Sequence, residues 1–366
     1  MSTSFTVLSK SRWLPSIRRE HALTREAIRN NLAVQFIEAP NDVRAVRHHP
    51  LQWATEIRGV TEDRDGVLVT RRATVVPGHK NDLAARLDVT LLRRALSPRL
   101  SANPLVSYLP WQWPASSGSS HRVFDCTDPW PHLFAHRERA VRDQMLRISQ
   151  EADEIIVVSN DLADYFPGRV VRVIPNGVDE ALLATPPIAP PGNLVMLYLG
   201  TLSERLDFEL LGRVLSASPQ WSLELVGPCS FRGFGSEPST ELLEFLGRFS
   251  GRVALHDPVS RAAAQVYIDR CDLMIAPTFR EYAVGQSSMK TFDAAARGRQ
   301  VLSTSAVTAG TSTSPAQVFA DDAESWSNVL RTYELTNSAM IEIRSWAEQQ
   351  TWSVRFEDWI SYVVLK

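Results

Sequence analysis

The stretch 194-LVMLYLGTLSERLDFELL-211 joins a short apolar run to a segment with the spacing of an amphipathic helix. The run Leu194–Tyr198 is typical of a buried strand, and Asp207–Ser216 is predicted to be helical. Gly200 lies in the turn between them, where the missing Cβ lets backbone approach a ligand closely. An ordinary tight turn would carry the same glycine. The stretch therefore predicts a strand-to-helix unit of a parallel sheet, with or without a ligand at its turn.

The same alternation of strands and helices continues to residue 303. Further strands are predicted at Ser222–Val226, Arg252–Leu255, Leu273–Ala276 and Val301–Ser303, and helices at Thr240–Phe249, Ala262–Asp269 and Ser288–Ala296. Strands separated by helices in this way predict a parallel, doubly wound sheet. Ligands of such sheets lie beyond the carboxyl ends of the strands, so the strand-to-helix turns are the candidate site.

The first half of the chain also begins with a strand, a helix and a strand. The predicted strands are Phe5–Leu8, Leu32–Glu38, Glu56–Thr61, Val67–Val69, Arg122–Asp125, Glu154–Ser159 and Val170–Ile174; the predicted helices are Ile17–Asn31, Asp82–Leu96, Phe134–Glu151 and Asp161–Tyr165. Asp65-Gly66 is a hairpin signal, and residues 110–119 form a predicted loop. The GxGxxG pattern of dinucleotide-binding turns does not follow the first strand. We expect a second Rossmann-like α/β domain.

Four prolines in 183-LATPPIAPPG-192 predict a linker between the two domains. We therefore expect a first domain over 1–180 and a second over 193–345, with a cleft between them. A terminal helical segment, 346–366, is expected after a break near 350–353.

Composition excludes several classes of protein. The 366 residues are 44% hydrophobic and 22% charged with a formal net charge of −2, which offers no basic footprint for duplex nucleic acid. The absence of a signal-like N-terminal run or an apolar stretch of about 20 residues predicts a cytoplasmic protein, with peripheral membrane contact left open. The isolated cysteines Cys126, Cys229 and Cys271 predict free, buried thiols. His48 and His49 are adjacent but belong to no ligand pattern, so no metal is expected.

A second candidate ligand-binding turn is 287-SSMKTFD-293. If a helix begins near Ser288, its free amides and positive dipole end form an anion site. Lys290 lies in that first turn, where a cation is unfavourable unless an anion compensates it; a solvated lysine beside a serine cap is the alternative. Asp293, one turn later, is either an acceptor for a ribose diol or an ordinary surface carboxylate.

Seven segments in this order resemble glycosyltransferases of the GT-B fold, within the family 4 lineage. They are VFDCTDPW (123–130), ADEIIVVSNDL (152–162), IPNGVD (174–179), YLGTLSERLDFELL (198–211), ELVGP (224–228), YIDRCDLMIAP (267–277) and MKTFDAAARGRQVLST (289–304). The first two resemble the acceptor domain of the teichuronic-acid-type branch. The resemblance implies two Rossmann-like domains facing a cleft, and a C-terminal helix that crosses back to the first domain.

The resemblance also implies a retaining, metal-independent transfer of sugar from a UDP-, GDP- or dTDP-type donor, without a cofactor. The implied acceptor is a hydroxyl or, as the alternative, a thiol, in cell-surface glycan or natural-product biosynthesis. The implied donor-binding residues are Gly200, Thr201, Arg205, Gly227, Ser287, Ser288, Met289, Lys290 and Asp293, with Lys290 as the charge on the departing phosphate.

The chain departs from the family pattern at two places. Thr201 follows Gly200 where members carry arginine, and Glu204-Arg205-Leu206-Asp207 replaces a Glu-Lys-Gly element. Gly285 falls where the first glutamate of a Glu-x7-Glu pair is usual, and Asp293 takes the second position. These changes leave the sugar half of the site open.

The acceptor side is less defined. Asp125 and Asp128 are candidate catalytic bases, or caps of the next helix. Trp13, His21 and Trp130 are candidate acceptor contacts, although a lone histidine is more often structural, and Trp111, Trp113 and Trp130 more often packing.

Two other classes of function remain in contention at this stage. One is a GT-B protein that binds nucleotide without turnover; the other is a GT-B-like sugar epimerase, for which the chain supplies few cleft carboxylates and histidines.

Overall fold

The computed structural model describes residues 4–13, 18–41, 50–96, 103–310 and 314–364. The chain forms two compact units: Met1–Pro175 together with Trp352–Lys366, and Asn176–Thr351. The His48–His49 pair, the end of the loop that follows the first strand and the predicted helix start at Ile17 lie outside the described residues. In the described part of the chain, no helix is long and apolar enough to cross a membrane.

The first unit is built on an eight-stranded sheet. Its strands are β1 (Phe5–Leu8), β2 (Val34–Ile37), β3 (Val60–Arg64), β4 (Val67–Arg71), β5 (Leu105–Ser107), β6 (Arg122–Cys126), β7 (Glu154–Val157) and β8 (Arg172–Val173), in the order β3-β4-β2-β1-β5-β6-β7-β8. The β3–β4 pair is antiparallel and its neighbours pair in parallel. The predicted hairpin is confirmed, since Asp65 and Gly66 both have positive φ (54° and 82°). The strand predicted at Glu56–Thr61 was placed too early, because Glu56 ends a helix.

Six α-helices lie within the described residues of the first unit. They are α1 (Arg19–Arg29), α2 (Pro50–Glu56), α3 (Asp82–Ala95), α4 (Trp130–Leu133), α5 (Glu138–Glu151) and the terminal helix (Trp352–Val363), with 3₁₀ helices at Pro110–Ser116, Ala135–Arg137 and Asn160–Tyr165. The predicted long helix from Phe134 therefore begins only at Glu138. The predicted loop 110–119 contains a 3₁₀ helix that starts at Pro110, where the fixed proline φ suits a first helical position.

A buried ion pair attaches the terminal helix to the first unit. Asp125 in β6 is fully buried, and the Arg19 Nε–H donates to its Oδ1 and Oδ2 at 3.1 and 2.9 Å. The Trp359 indole N–H donates to Asp125 Oδ2 at 3.0 Å, and the Trp359 ring lies 5.7 Å from that of Phe5. One carboxylate thus joins β6, α1 and the terminal helix.

The second unit is a six-stranded parallel sheet. Its strands are β9 (Val195–Leu199), β10 (Ser222–Val226), β11 (Val253–His256), β12 (Leu273–Ala276), β13 (Val301–Ser303) and β14 (Gln317–Phe319), in the order β11-β10-β9-β12-β13-β14. Numbered within the unit, this is the order 3-2-1-4-5-6 of the Rossmann fold. Successive strands are added on one side of β9 up to β11 and then on the other side from β12, so the strand order reverses between β9 and β12. The predicted doubly wound sheet is confirmed; β14 was not predicted.

The helices of the second unit are α6 (Glu180–Leu183), α7 (Phe208–Ala217), α8 (Thr240–Arg248), α9 (Arg261–Arg270), α10 (Arg280–Ala283), α11 (Met289–Ala296), α12 (Ala323–Arg331) and α13 (Asn337–Glu348). The N-termini of α7 and α8 are capped by side chains of the types that helix starts favour. Asp207 accepts from the Leu210 N–H at 2.8 Å, and Ser239 accepts from the Leu242 N–H at 3.2 Å. The one-turn helices α6 and α10 were not predicted.

The cysteines agree in part with the prediction of buried free thiols. All three are unpaired; Cys126 and Cys271 are buried, whereas Cys229 is only partly buried. Burial raises the pKa of Cys271 to about 12, which makes its thiol unreactive at neutral pH.

Removal of the Asp125 carboxylate tests the anchor of the terminal helix. Asp125→Ala leaves the Arg19 charge buried without its partner, so we expect the free energy of unfolding to fall by about 3–5 kcal/mol. Asp143→Ala, at an exposed position of α5, is the control and is expected to stay within about 0.5 kcal/mol of the parent protein. Urea denaturation of both variants measures the difference, and equal stabilities would contradict the structural role of Asp125.

Candidate functional site

The ends of β9 and β10 approach each other more closely than side chains allow. Gly200 and Gly227 follow these strands with φ of 145° and 144°, and the Gly200 N–H donates to the Val226 carbonyl at 2.9 Å. A Cβ at Gly227 would lie 2.2 Å from the carbonyl oxygen of Gly200. Position 227 therefore requires glycine for both space and backbone conformation.

The turn after β9 also pairs with the turn after β12. The Asp207 N–H donates to the Pro277 carbonyl at 2.9 Å, and the Phe279 N–H donates to the Arg205 carbonyl at 3.1 Å. Three adjacent strand ends thus share one continuous surface at the point where the sheet order reverses. Arg205 is exposed on this surface, with its guanidinium 5.9 Å from the Tyr282 ring centre. Ligands of open α/β sheets bind at such reversal points.

Lys290 brings a positive charge to this surface. It lies in the first turn of α11, and its Nζ is 4.9 Å from the centre of the Tyr198 ring. A Cβ at Gly200 would lie 3.1 Å from this Nζ, so the ammonium occupies the space that a side chain at 200 would take. Among the described residues, no hydrogen bond or ion pair is formed by the Lys290 side chain. A cation at a helix N-terminus is unfavourable unless an anion compensates it, and apart from the electrostatic attraction of Asp293 one turn later no described group does so, which makes this helix end a candidate anion site.

Tyr198 supports the position of Lys290 and of the following loop. Its hydroxyl donates to the Thr201 carbonyl at 2.9 Å, which holds the ring flat beneath the ammonium. Cation–π attraction of this kind contributes about 0.5–2 kcal/mol. Thr201 itself is exposed, where a ligand can reach its hydroxyl and backbone.

The structure corrects part of the anion site predicted at the start of α11. The Ser288 N–H donates to the Thr308 carbonyl at 2.7 Å and is not available to a phosphate. Ser287 is buried, and its Oγ lies 3.3 Å from the Ala309 carbonyl and accepts from the Asn176 N–H at 3.2 Å. Both serines therefore hold neighbouring backbone. In the described part of the chain the Met289 amide has no acceptor, so it remains as the donor of this helix end.

Asp293 is held by an arginine that the sequence reasoning did not identify. Arg261 Nη2–H donates to Asp293 Oδ1 at 2.7 Å, and the same guanidinium pairs with Asp179. Burial raises the pKa of Asp293, and the Arg261 charge opposes this rise. Arg261 is the first residue of α9, where a cation is unfavourable without acidic partners. That placement was the signal available in the sequence.

The two acidic candidates of the first unit have different environments. Asp125 is fully buried in the ion pair described above, so the expectation of a catalytic base is corrected to a structural role. Asp128 accepts from Lys10 Nζ at 2.6 Å and from Thr127 Oγ1 at 2.7 Å. Burial would raise the pKa of Asp128, but the Lys10 charge and these hydrogen bonds outweigh it and lower the pKa. Asp128 is thus held ionised, which weakens it as a base at neutral pH.

The aromatic candidates of the first unit are mostly packed together. The His21 Nδ1 accepts from the Arg18 N–H at 3.0 Å, and its ring lies edge-on to Trp13 at 5.4 Å. His21 and Trp13 are only 2% and 3% exposed, and burial lowers the pKa of His21 against the opposing charge of Glu20. Trp130 is 6% exposed and stacks on Phe134. The structural alternative therefore accounts for these three side chains.

Glu20 is a polar residue beside this cluster that the sequence reasoning did not identify. It is 1% exposed, its Oε1 accepts from the Ser11 hydroxyl, and its Oε2 is buried without a partner among the described residues. Burial would raise the pKa of Glu20, but the Lys10 charge and other contacts lower it. Glu20 and Asp128 thus flank one lysine at the carboxyl edge of the first sheet.

Substitution of Gly227 tests the close approach at the second site. Gly227→Ala would place a methyl group against the Gly200 carbonyl at an unfavourable φ, and we expect a loss of about 3 kcal/mol in the free energy of unfolding. Gly247→Ala is the control, because Gly247 is helical and a Cβ there has no neighbour within 4 Å. That variant is expected to gain about 0.5–1 kcal/mol. Thermal and denaturant unfolding compare the two, and a neutral Gly227→Ala would refute the packing argument.

Comparison with known proteins agrees with this architecture. No protein-family model matches the chain. The Bacillus subtilis protein named "Putative teichuronic acid biosynthesis glycosyltransferase TuaH" is 24% identical over 205 residues, so the chain matches about half the length of this curated relative (50% of each protein).

Solved structures match over the whole chain. HepE of Anabaena in complex with UDP has a TM-score of 0.67 at 16% identity, covering 99% of this chain and 98% of that one. WaaG, a glycosyltransferase of lipopolysaccharide biosynthesis, has a TM-score of 0.63 at 12% identity and 99% coverage of both chains. The resemblance found in the sequence is confirmed: the chain has the fold of the GT-B glycosyltransferases and is similar to a teichuronic-acid-type protein.

Proposed function

We propose that the chain is a glycosyltransferase that uses a nucleoside-diphosphate sugar, with the diphosphate bound beside Lys290. The observation that carries the proposal is the unpaired ammonium between Gly200 and the Tyr198 ring, at the reversal point of a Rossmann-ordered sheet. Such a point is where nucleotides bind in this architecture. HepE, which has the same fold, was crystallised with UDP and with UDP-glucose, so a UDP-sugar is the first donor to test.

The proposed chemistry is the neutralisation of charge on the departing diphosphate. Lys290 and the Met289 amide supply fixed positive charge and a hydrogen-bond donor at the N-terminus of α11. Arg205 is exposed on the adjacent turn and is proposed as a second cation. Preorganised groups of this kind often provide the largest contribution to catalysis. We propose that transfer needs no divalent metal and retains the anomeric configuration, with the leaving phosphate accepting the proton of the acceptor hydroxyl.

Asp293 is proposed to bind the ribose of the nucleotide. Its Oδ1 is engaged by Arg261, while Oδ2 accepts no hydrogen bond from the described residues. A carboxylate with one oxygen hydrogen-bonded and the other without a donor can accept hydrogen bonds from the hydroxyls of a diol. Arg261 favours the ionised form that this role needs, against the effect of burial.

The acceptor is proposed to be a glycan hydroxyl of a cell-surface polymer. The name of the TuaH relative supports this choice. A natural product is the second candidate, because AviGT4, involved in avilamycin A biosynthesis, has the same fold at a TM-score of 0.57. Lys10, Asp128 and Glu20 lie at the carboxyl edge of the first sheet and are the proposed polar contacts for the acceptor.

A nucleotide-binding protein without turnover is the alternative. Gly285, with φ of 82°, stands where the family carries a glutamate, and Thr201 stands where it carries arginine. Incubation of the purified chain with a panel of UDP-, GDP- and dTDP-sugars separates the two. Release of nucleoside diphosphate supports the enzyme, whereas tight UDP binding with no release from any donor supports the alternative.

Lys290 provides the direct test of the diphosphate site. Lys290→Ala removes the cation proposed to face the phosphates, so we expect UDP affinity to fall by about 10- to 100-fold. Lys80→Ala, an exposed lysine of the first unit, is the control and should keep parental affinity. Isothermal titration calorimetry with UDP measures both, and circular dichroism checks the fold. Unchanged affinity in Lys290→Ala would exclude this phosphate assignment.

A further inference from the structure

The first unit contains a basic groove beside α3 and α5. A cavity of about 430 Å³ lies between α3 and α5, above the 3₁₀ helix Pro110–Ser116. Four arginines line it, against Asp82 as the single lining carboxylate: Arg86, Arg93, Arg137 and Arg147. The whole chain has a formal net charge of −2, so this concentration of positive charge is local. We call this feature the arginine groove.

Two of the four arginines of the arginine groove, Arg86 and Arg93, form no ion pair with a described residue. The Arg86 guanidinium forms no hydrogen bond or ion pair with a described residue. Arg93 Nη2–H donates to the Pro114 carbonyl at 2.7 Å, which is a neutral acceptor. Arg147 pairs with Glu151 at 3.2 Å, but both side chains are substantially exposed, and such pairs contribute little. Arg137 pairs with Asp82 and is the one lining arginine neutralised by a lining residue.

Two further features of the arginine groove favour a ligand. The Gln144 Nε2 is buried in its wall and has no acceptor among the described residues. Buried donors are rarely left unpaired, so this atom calls for a water or a ligand oxygen. Trp111 and Val89 provide apolar surface beside these polar groups. Charged, neutral polar and apolar contacts are thus available together.

The spacing of the arginines indicates an extended ligand. Arg86 and Arg93 are seven residues apart on α3 and share one helix face, about 10 Å from each other along the axis. Two anionic groups of one extended ligand can pair with both side chains at this spacing. A groove that is concave also fits a chain better than a flat surface.

We propose that the arginine groove binds an acidic glycan chain, whose carboxylates pair with Arg86, Arg93 and Arg147. Guanidinium groups recognise carboxylates through paired hydrogen bonds. Trp111, which lines the groove, lies 5.8 Å from the Trp130 ring, and Trp130 in turn lies 5.8 Å from Lys10 Nζ. The proposal concerns binding alone and does not require the transfer reaction proposed above.

The test is titration of the full chain with an oligogalacturonide of defined length, at low ionic strength. A malto-oligosaccharide of equal length is the neutral control, and a linear polyphosphate separates phosphate from carboxylate recognition. We expect binding of the oligogalacturonide, weak or no binding of the malto-oligosaccharide, and loss of affinity with added salt. Polyphosphate binding with no oligogalacturonide binding would overturn the glycan assignment.

Variants locate the binding in the arginine groove. The double variant Arg86→Gln/Arg93→Gln is expected to weaken oligogalacturonide binding at least tenfold, and Thr90→Glu, which adds a negative charge to the lining, should weaken it comparably. Arg94→Gln is the matched control, since Arg94 is exposed on α3 but does not line the groove. UDP affinity should remain parental in all three variants.

Three further outcomes would overturn the proposal. The first is equal binding of neutral and acidic oligosaccharides. The second is an Arg86→Gln/Arg93→Gln variant that binds the acidic chain as the parent does. The third is binding to anionic phospholipid vesicles, lost in the double variant, without binding of the soluble acidic chain; this would make the surface a membrane contact. Exposed Leu83 and Leu87 on α3 make the vesicle measurement necessary.

Discussion

The contact between Gly227 and the Gly200 carbonyl is the constraint on which the second unit's site depends. A Cβ at 227 would lie 2.2 Å from that oxygen, so two strand ends meet with no side chain between them. The turn after β9 is thereby fixed against β10, and its continuation pairs with the turn after β12. The space left above Gly200 is filled by the Lys290 ammonium. The position of the charge is therefore a consequence of the two glycines, and the ring of Tyr198 stabilises it from below.

The charged side chains near α11 comprise one ion-paired cluster and one lysine without an ion pair. Arg261 joins Asp179 to Asp293, so three charged groups satisfy one another close to α11. Lys290, one turn earlier on α11, has no such partner in the described chain. Since a partly buried charge without an ion-pair partner is costly, the unpaired lysine beside this satisfied cluster supports the proposed phosphate contact. Gly285 contributes no side chain to this surface, so the side chains present support the proposed nucleotide contacts better than contacts with a sugar.

The sequence was sufficient where the determining forces are local. The alternation of strands and helices in the second unit, the Asp65-Gly66 hairpin and the helix starts at Asp207 and Ser239 all depend on periodicity, turn conformation and capping. It was insufficient where a residue's role depends on a distant partner. Arg19 and Asp125 are 106 positions apart, and Arg261 and Asp293 are 32 apart, so no spacing rule pairs them. The prediction of a free Ser288 amide was wrong for the same reason, because the Thr308 carbonyl accepts its hydrogen bond from a later loop. Short β14 and the one-turn α6 and α10 carry too few residues for a periodic signal.

The segment 123-VFDCTDPW-130 illustrates how one motif separates into structural and candidate functional parts. Asp125 lies within β6, where the strand is buried on both faces, so its charge is retained only with Arg19 and the Trp359 indole as partners. Asp128 lies two residues beyond the strand end, where Lys10 Nζ reaches it at 2.6 Å and both side chains keep some exposure, 14% and 19%. Two aspartates three residues apart thus differ because the strand ends between them. A buried pair is costly to break and specifies how the terminal helix packs, whereas a partly exposed pair can exchange one contact for a ligand hydroxyl. The same difference favours Lys10 and Asp128 over Asp125 as the proposed contacts for an acceptor.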